Sequence, residues 1–222
     1  MSLRPAEPVW YETTAVPDAK TKIVLPDSST VWLNANARLH YPPSFNGKIR
    51  KVDVSGEAFF KVRKGNIPFV VGLGELQIRV LGTSFNVVTN EENGEIIITL
   101  VEGKIALYDK SRPEEPETIL TPNKQAIYSG SGSGLRISSV RPEAITSWIT
   151  GVFRFENNTL SEITRGLERA FHVKIHIEDE VMRNKTFNAV FEDRETLEEI
   201  LSNLQIPAKY KNEKIRGGVL LK

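Results

Sequence analysis

Along residues 31–41 apolar and polar positions alternate without a break. Val31, Leu33, Ala35, Ala37, Leu39 and Tyr41 share one parity, and Trp32, Asn34, Asn36, Arg38 and His40 share the other. A period of two marks a strand with one buried face. Pro42-Pro43 ends the run, because proline has no N–H to give to a ladder. The alternation returns at Val52, Val54, Ala58, Phe60 and Val62, with Gly56 placed for a bulge or a close approach. The densest stretch is 80–108, which predicts three strands with little loop between them. Residues 83–89 alternate, Glu91-Glu92-Asn93-Gly94 reads as a hairpin turn, and residues 96–101 are apolar on both parities, as in a strand covered on both faces. Glu102-Gly103 then turns the chain into 104–108, and Gly82 and Gly103 stand where it must bend sharply or take a positive φ. Further short strands are predicted near 22–25, 67–71, 76–81, 119–120, 125–128 and 135–140, and the Ser-Gly alternation over 129–134 reads as a surface loop.

After residue 140 the period changes. Thr159-Leu160-Ser161-Glu162 fits a helix capping box, followed at helical spacing by Ile163, Leu167 and Ala170/Phe171. Thr196-Leu197-Glu198-Glu199 repeats the box, followed by Ile200, Leu201 and Leu204, with Pro207 after the predicted helix. Strands are expected at 152–156, 173–177, 186–192, 209–211 and 215–221. Phe155-Glu156 before the first box recurs as Phe191-Glu192 before the second, so this half is an internal repeat. The fold class expected is mainly β plus α+β: an all-β sandwich or β-solenoid-like domain over 20–140, then a small domain of two βαβ repeats over 152–222. Residues 1–19 read as a leader or linker that could dock through Trp10, and 141–151 as a connector.

Composition narrows the function more than the fold. The chain has 222 residues, 40% hydrophobic and 26% charged, and a formal net charge of +1. A balanced charge gives no global reason to expect nucleic acid or an anionic membrane as partner. Cysteine is absent, which removes disulfides and thiol chemistry. No apolar run is long enough for a membrane span.

No catalytic constellation emerges. His172 and His176 are four apart in a strand pattern, not on a helix face, and His40 shares a polar parity with Arg38. Gly72-Leu73-Gly74 is a broken phosphate-loop motif with no helix after it. Asp53 and Glu57 suit a pair of glycosidase carboxylates only if a sugar cleft joins them. Trp32 and Trp148 call for cover by another element or for a partner. The expectation is therefore no enzyme, no cofactor and no metal.

Several phrases resemble the FecR-type anti-sigma regulators: Leu25-Pro26-Asp27-Ser28-Ser29-Thr30-Val31-Trp32-Leu33-Asn34-Ala35, Gly56-Glu57-Ala58-Phe59-Phe60-Lys61-Val62, Pro68-Phe69-Val70-Val71, Val80-Leu81-Gly82-Thr83-Ser84-Phe85-Asn86-Val87 and Leu100-Val101-Glu102-Gly103-Lys104. Ser28-Ser29 departs from the family's usual Gly-Ser. The second half is similar to the C-terminal domain of Bacteroidetes members, and through it to the short N-terminal signalling domains of secretins and TonB-dependent transducers. The resemblance implies the periplasmic sensor arm of a protein that spans the inner membrane once and holds an extracytoplasmic-function sigma factor through a cytoplasmic region. This chain lacks that region and reads as a part that starts just beyond the membrane. The partner implied is the N-terminal signalling domain of an outer-membrane TonB-dependent transducer, with the sigma factor reached only indirectly. Strand addition to the second domain is the expected mode. The candidate edges are 209–211 and 215–221, and the candidate contact residues are Lys209, Tyr210, Lys211, Ile215, Val219 and Leu221. The competing reading is a carbohydrate-binding or adhesin-like β protein that stacks sugar on Trp32 or Tyr41.

Overall fold

A computed structural model of the chain describes residues 9–17, 19–112, 114–130, 134–142, 147–149, 151–171, 173–192, 195–208 and 210–222. The chain divides into two compact units, residues 1–142 and 143–222.

The first unit is a sandwich of two seven-stranded sheets. Its strands are β1 (Tyr11–Thr14), β2 (Thr21–Val24), β3 (Thr30–Leu33), β4 (Arg38–Tyr41), β5 (Arg50–Ser55), β6 (Glu57–Lys61), β7 (Phe69–Leu73), β8 (Leu76–Val80), β9 (Ser84–Asn90), β10 (Glu95–Glu102), β11 (Ile105–Asp109), β12 (Thr118–Leu120), β13 (Lys124–Tyr128) and β14 (Leu135–Ser139). One sheet runs β1-β4-β5-β7-β8-β11-β12 and the other β14-β13-β10-β9-β6-β3-β2. The chain passes back and forth between the sheets, mostly two strands at a time; β6 crosses singly, and β5 with β7 on either side of it is a parallel pair in an otherwise antiparallel set. Leu39, Val52, Val71 and Ile78 from the first sheet meet Leu33, Phe60, Phe85 and Ile98 from the second in one core. The Phe60 ring stacks on Phe85 within its sheet and meets Phe69 of the facing sheet at 6.3 Å, which closes the sandwich.

Two readings of the alternation change here. The run 31–41 predicted one strand, yet it forms β3 and β4 in different sheets. At the corner Asn36 takes φ +63°, Asn34 Oδ1 accepts the Ala35 N–H and Asn34 O accepts the Ala37 N–H. Parity survives the corner, so the pattern alone hides it. Residues 11–14, read as leader, form edge strand β1 on β4, and Ala15 beyond them is buried. The central stretch folds as three strands, but Ile97 is only half-buried, so one face of β10 is less covered than its composition suggested. Gly103 has φ +93°, whereas Gly82 is needed for proximity: a Cβ there would lie 2.6 Å from Lys64 Cα.

The second unit carries β15 (Val152–Thr159), α1 (Leu160–Phe171), β16 (Lys174–Ile177), the short α2 (Glu180–Arg183), β17 (Thr186–Glu192), α3 (Leu197–Ala208), β18 (Asn212–Ile215) and β19 (Gly218–Leu221). The repeat is visible in the pairing. β15 and β17, the strands that precede the two capping boxes, lie antiparallel side by side, and β16 lies parallel to β19. Both capping boxes form. Thr159 N–H donates to Glu162 and Glu162 N–H to Thr159 Oγ1, and Thr196 and Glu199 make the same exchange. Phe153, Phe155, Leu160, Ile163, Leu167, Phe191, Ile200, Leu201 and Leu204 share the core. At the C-terminus the expected strands shift: of 209–211, the described residues 210 and 211 are not in a strand, and 215–221 is broken by a turn at Arg216-Gly217, where Gly217 has φ +83°.

Candidate interaction site

The three-stranded sheet of the second unit runs β16-β19-β18, which makes β19 central and leaves β16 and β18 at the edges. The two edges differ. On β16 the Ile175 N–H donates to Glu168 Oε1 of α1 at 2.8 Å, so that edge carries a side-chain cap. On β18 the register sets which groups face outward. Lys211 and Lys222 exchange both backbone hydrogen bonds, and Asn212↔Leu221, Glu213↔Leu220, Lys214↔Val219 and Ile215↔Gly218 follow. In an antiparallel pair, hydrogen-bonded and non-bonded positions alternate. The N–H and C=O of Asn212 and Lys214 therefore point away from β19, along the sheet edge.

Beside this edge is a cavity of about 680 Å³. All four β18 residues line it, together with Leu197, Glu198 and Leu201 of α3 and with Val173 and Val219. Its wall is mostly apolar. Lys214 sits opposite Val219 on the face turned to the helices, and its ammonium pairs with the Glu198 carboxylate in the first turn of α3. On the other face Glu213 pairs with Lys222 at 2.6 Å, which holds the Lys222 ammonium above its ordinary pKa.

The residues proposed from sequence are distributed unequally over this site. Ile215 and Val219 line the cavity. Lys211 is exposed and precedes β18, and Lys209 lies outside the described residues. Tyr210 and Leu221 are buried in the core: Tyr210 is 3% exposed, its hydroxyl donates to Leu201 O at 2.6 Å, and burial pushes the phenol pKa upward. Residues 218–221 cannot accept a new strand, because β19 already has a neighbour on each side. Asn212, Lys214, Glu198 and Leu197 were missed. Gly217 was the available signal, since a glycine between Ile215-Arg216 and Gly218-Val219 marks a hairpin.

The other chemical candidates are dispersed. Asp53 is on β5 and Glu57 on β6, in different sheets; Asn34 and Asn86 amides hold both oxygens of Glu57, and Lys51 approaches Asp53 at 3.7 Å. His40 pairs with Glu12 of β1, His176 is exposed on β16, and His172 lies outside the described residues. Among the described residues no three metal-ligating side chains converge. Trp32 is half-buried against Phe59 at 5.7 Å with Lys22 Nζ over its ring at 5.3 Å, which occupies a face a sugar would need. Trp148 is buried. The Gly72–Gly74 stretch lies in the β7–β8 hairpin, with no helix after it. No helix among the described residues is long and apolar enough to cross a membrane.

Comparison with known proteins agrees with this architecture. The family profile described as FecR protein matches residues 11–106, and the profile described as FecR, C-terminal matches residues 152–219. Two crystal structures of a candidate anti-sigma factor from Parabacteroides distasonis superpose with a TM-score of 0.69 at 27% identity, covering 96% of this chain and 98% of theirs. A search of the curated proteins found no match.

Proposed function

Because the chain belongs to the FecR family of sigma-factor regulators, we propose that it is the periplasmic sensor arm of a membrane-anchored anti-sigma factor. It receives the state of an outer-membrane TonB-dependent transducer by binding that protein's N-terminal signalling domain, and it passes the signal across the inner membrane to an extracytoplasmic-function sigma factor. The observation that carries this reading is the open edge of β18 with an apolar cavity beside it. Such an edge offers backbone hydrogen bonds for affinity and a pocket for selectivity, the two ingredients of recognition by strand addition.

The test is calorimetry of the whole chain against the signalling domain of the transducer encoded beside it. Binding at micromolar strength or tighter is expected, and it should be lost when residues 150–222 are removed. A folded signalling domain that gives no heat with the whole chain would sink the relay.

A further inference from the structure

We propose that β18 receives one strand of a different protein, with a carboxylate of that strand replacing Glu198 as the partner of Lys214. The proposal rests on the relay reading above and names where and by what chemistry the partner attaches.

Three observations converge on this edge. Its outward N–H and C=O groups, on Asn212 and Lys214, are set by the register with β19, whereas the opposite edge of the same sheet is capped by Glu168. The cavity runs along all of β18 and lies on no other edge strand of the second unit. Lys214 stands on the helix-facing side, opposite Val219 and in line with Asn212, where Leu221, Ile175 and Ile177 are apolar. A charged side chain on an edge strand blocks indiscriminate pairing. Lys214 and Glu198 form a solvent-exposed pair at the mouth of the cavity, and such pairs contribute little, so an incoming carboxylate on the same face can take the place of Glu198 and set an apolar neighbour beside Leu197 and Leu201.

Charge also weighs against a second copy as the occupant in the registers centred on Glu213 and on Lys214. Two-fold pairing of identical edges is antiparallel. The register that engages both outward residues of each copy centres on Glu213 and sets it directly against its mate; the next one sets Lys214 against Lys214. Like charges directly opposite each other destabilise a strand pair. A heterologous strand avoids this with an acidic residue opposite Lys214 and an apolar residue opposite Asn212. Both then lie on the helix-facing side, two residues apart, as the pleat requires.

The experiment follows the full chain by hydrogen exchange and calorimetry as the transducer's signalling domain is added. Free, the Asn212 and Lys214 amides exchange quickly; bound, they should slow at least tenfold. Asn212→Pro removes one outward N–H and no bond to β19, and it should weaken binding at least tenfold. Lys214→Glu should do the same, with partial recovery when the facing carboxylate of the partner is changed to lysine. Both variants should keep the far-UV circular dichroism of the parent. Parental affinity in both variants, or protection that appears on β16 or β17 instead, overturns the assignment to β18 and leaves the relay standing. No binding by the parent chain removes the relay and this assignment with it. A dimer of the parent chain that Asn212→Pro abolishes overturns the choice of a different protein as occupant.

Discussion

Arg50 shows how much a single side chain can hold in the sandwich. It is 6% exposed, and its guanidinium donates to Asp27 at 2.6 Å, to Ile67 O twice and to Arg63 O, with the Phe69 ring 5.3 Å away. Asp27 is anchored in turn by the N–H and hydroxyl of Ser29, whose Oγ accepts the Arg63 N–H. Arg50→Ala strips the cationic partner from a partly buried carboxylate and leaves two carbonyls short of a donor, and the expected loss is about 2–4 kcal/mol, read as a lower urea midpoint. Arg50→Lys should recover little of it, because an ammonium cannot reach the same fork of acceptors. In the second unit Glu199 accepts the Thr196 N–H and hydroxyl, and these bonds hold its carboxyl below the usual range. A pKa lowered by folding stabilises the folded state above the unfolded value, and that contribution fades as pH falls through the folded value. Glu199→Ala should therefore lower the melting temperature at pH 7, with the gap to the parent narrowing in acid; an unchanged gap at pH 3 would contradict the assignment. Replacing the cap itself, Thr196→Ala, should cost about 1 kcal/mol.

At the level of elements, closeness of backbones matters as much as hydrophobic pattern. The segment entering β9 passes Lys64 so tightly that only glycine fits at position 82, and Gly65 N–H donates to Leu81 O at the same crossing. Gly82→Ala should push the two segments apart and lower stability by about 1–3 kcal/mol, measured by chemical denaturation. The corner between β3 and β4 is a different case, because Asn36 already takes a left-handed φ and glycine there should be tolerated. The capping boxes, by contrast, are local devices. They were readable because donor and acceptor lie three residues apart, and both helices begin where the boxes place their starts.

At the scale of the whole molecule, each unit has its own hydrophobic core, one built from strands of two facing sheets and the other from helices against small sheets. A core of that kind is what independent folding requires. Residues 1–142 and 143–222, each produced alone, should give dispersed amide spectra and a cooperative melt; a featureless spectrum from either would show that its core needs the other unit.

The amino-acid sequence by itself determined the elements whose causes are local. Period-two alternation marked most strands of the sandwich, the two Thr-Leu-x-Glu boxes marked the helices, and their recurrence marked the repeat. The FecR-like phrases over the first unit were likewise legible, because they are contiguous. Tertiary structure decided which strands share a sheet, since a corner such as Asn34–Ala37 moves the chain between sheets without disturbing parity. It decided that residues 11–14 pair with β4, a contact that no pattern of four residues announces. It also decided the candidate site. The sequence predicts a strand over 215–221 and contacts at Tyr210 and Leu221, and both side chains are core in the fold; the open edge is the polar strand β18, with Lys214 and Glu198 brought together from separate elements. Edge and centre of a sheet are properties of strand order, and strand order is set by long-range packing that spacing along the chain does not encode.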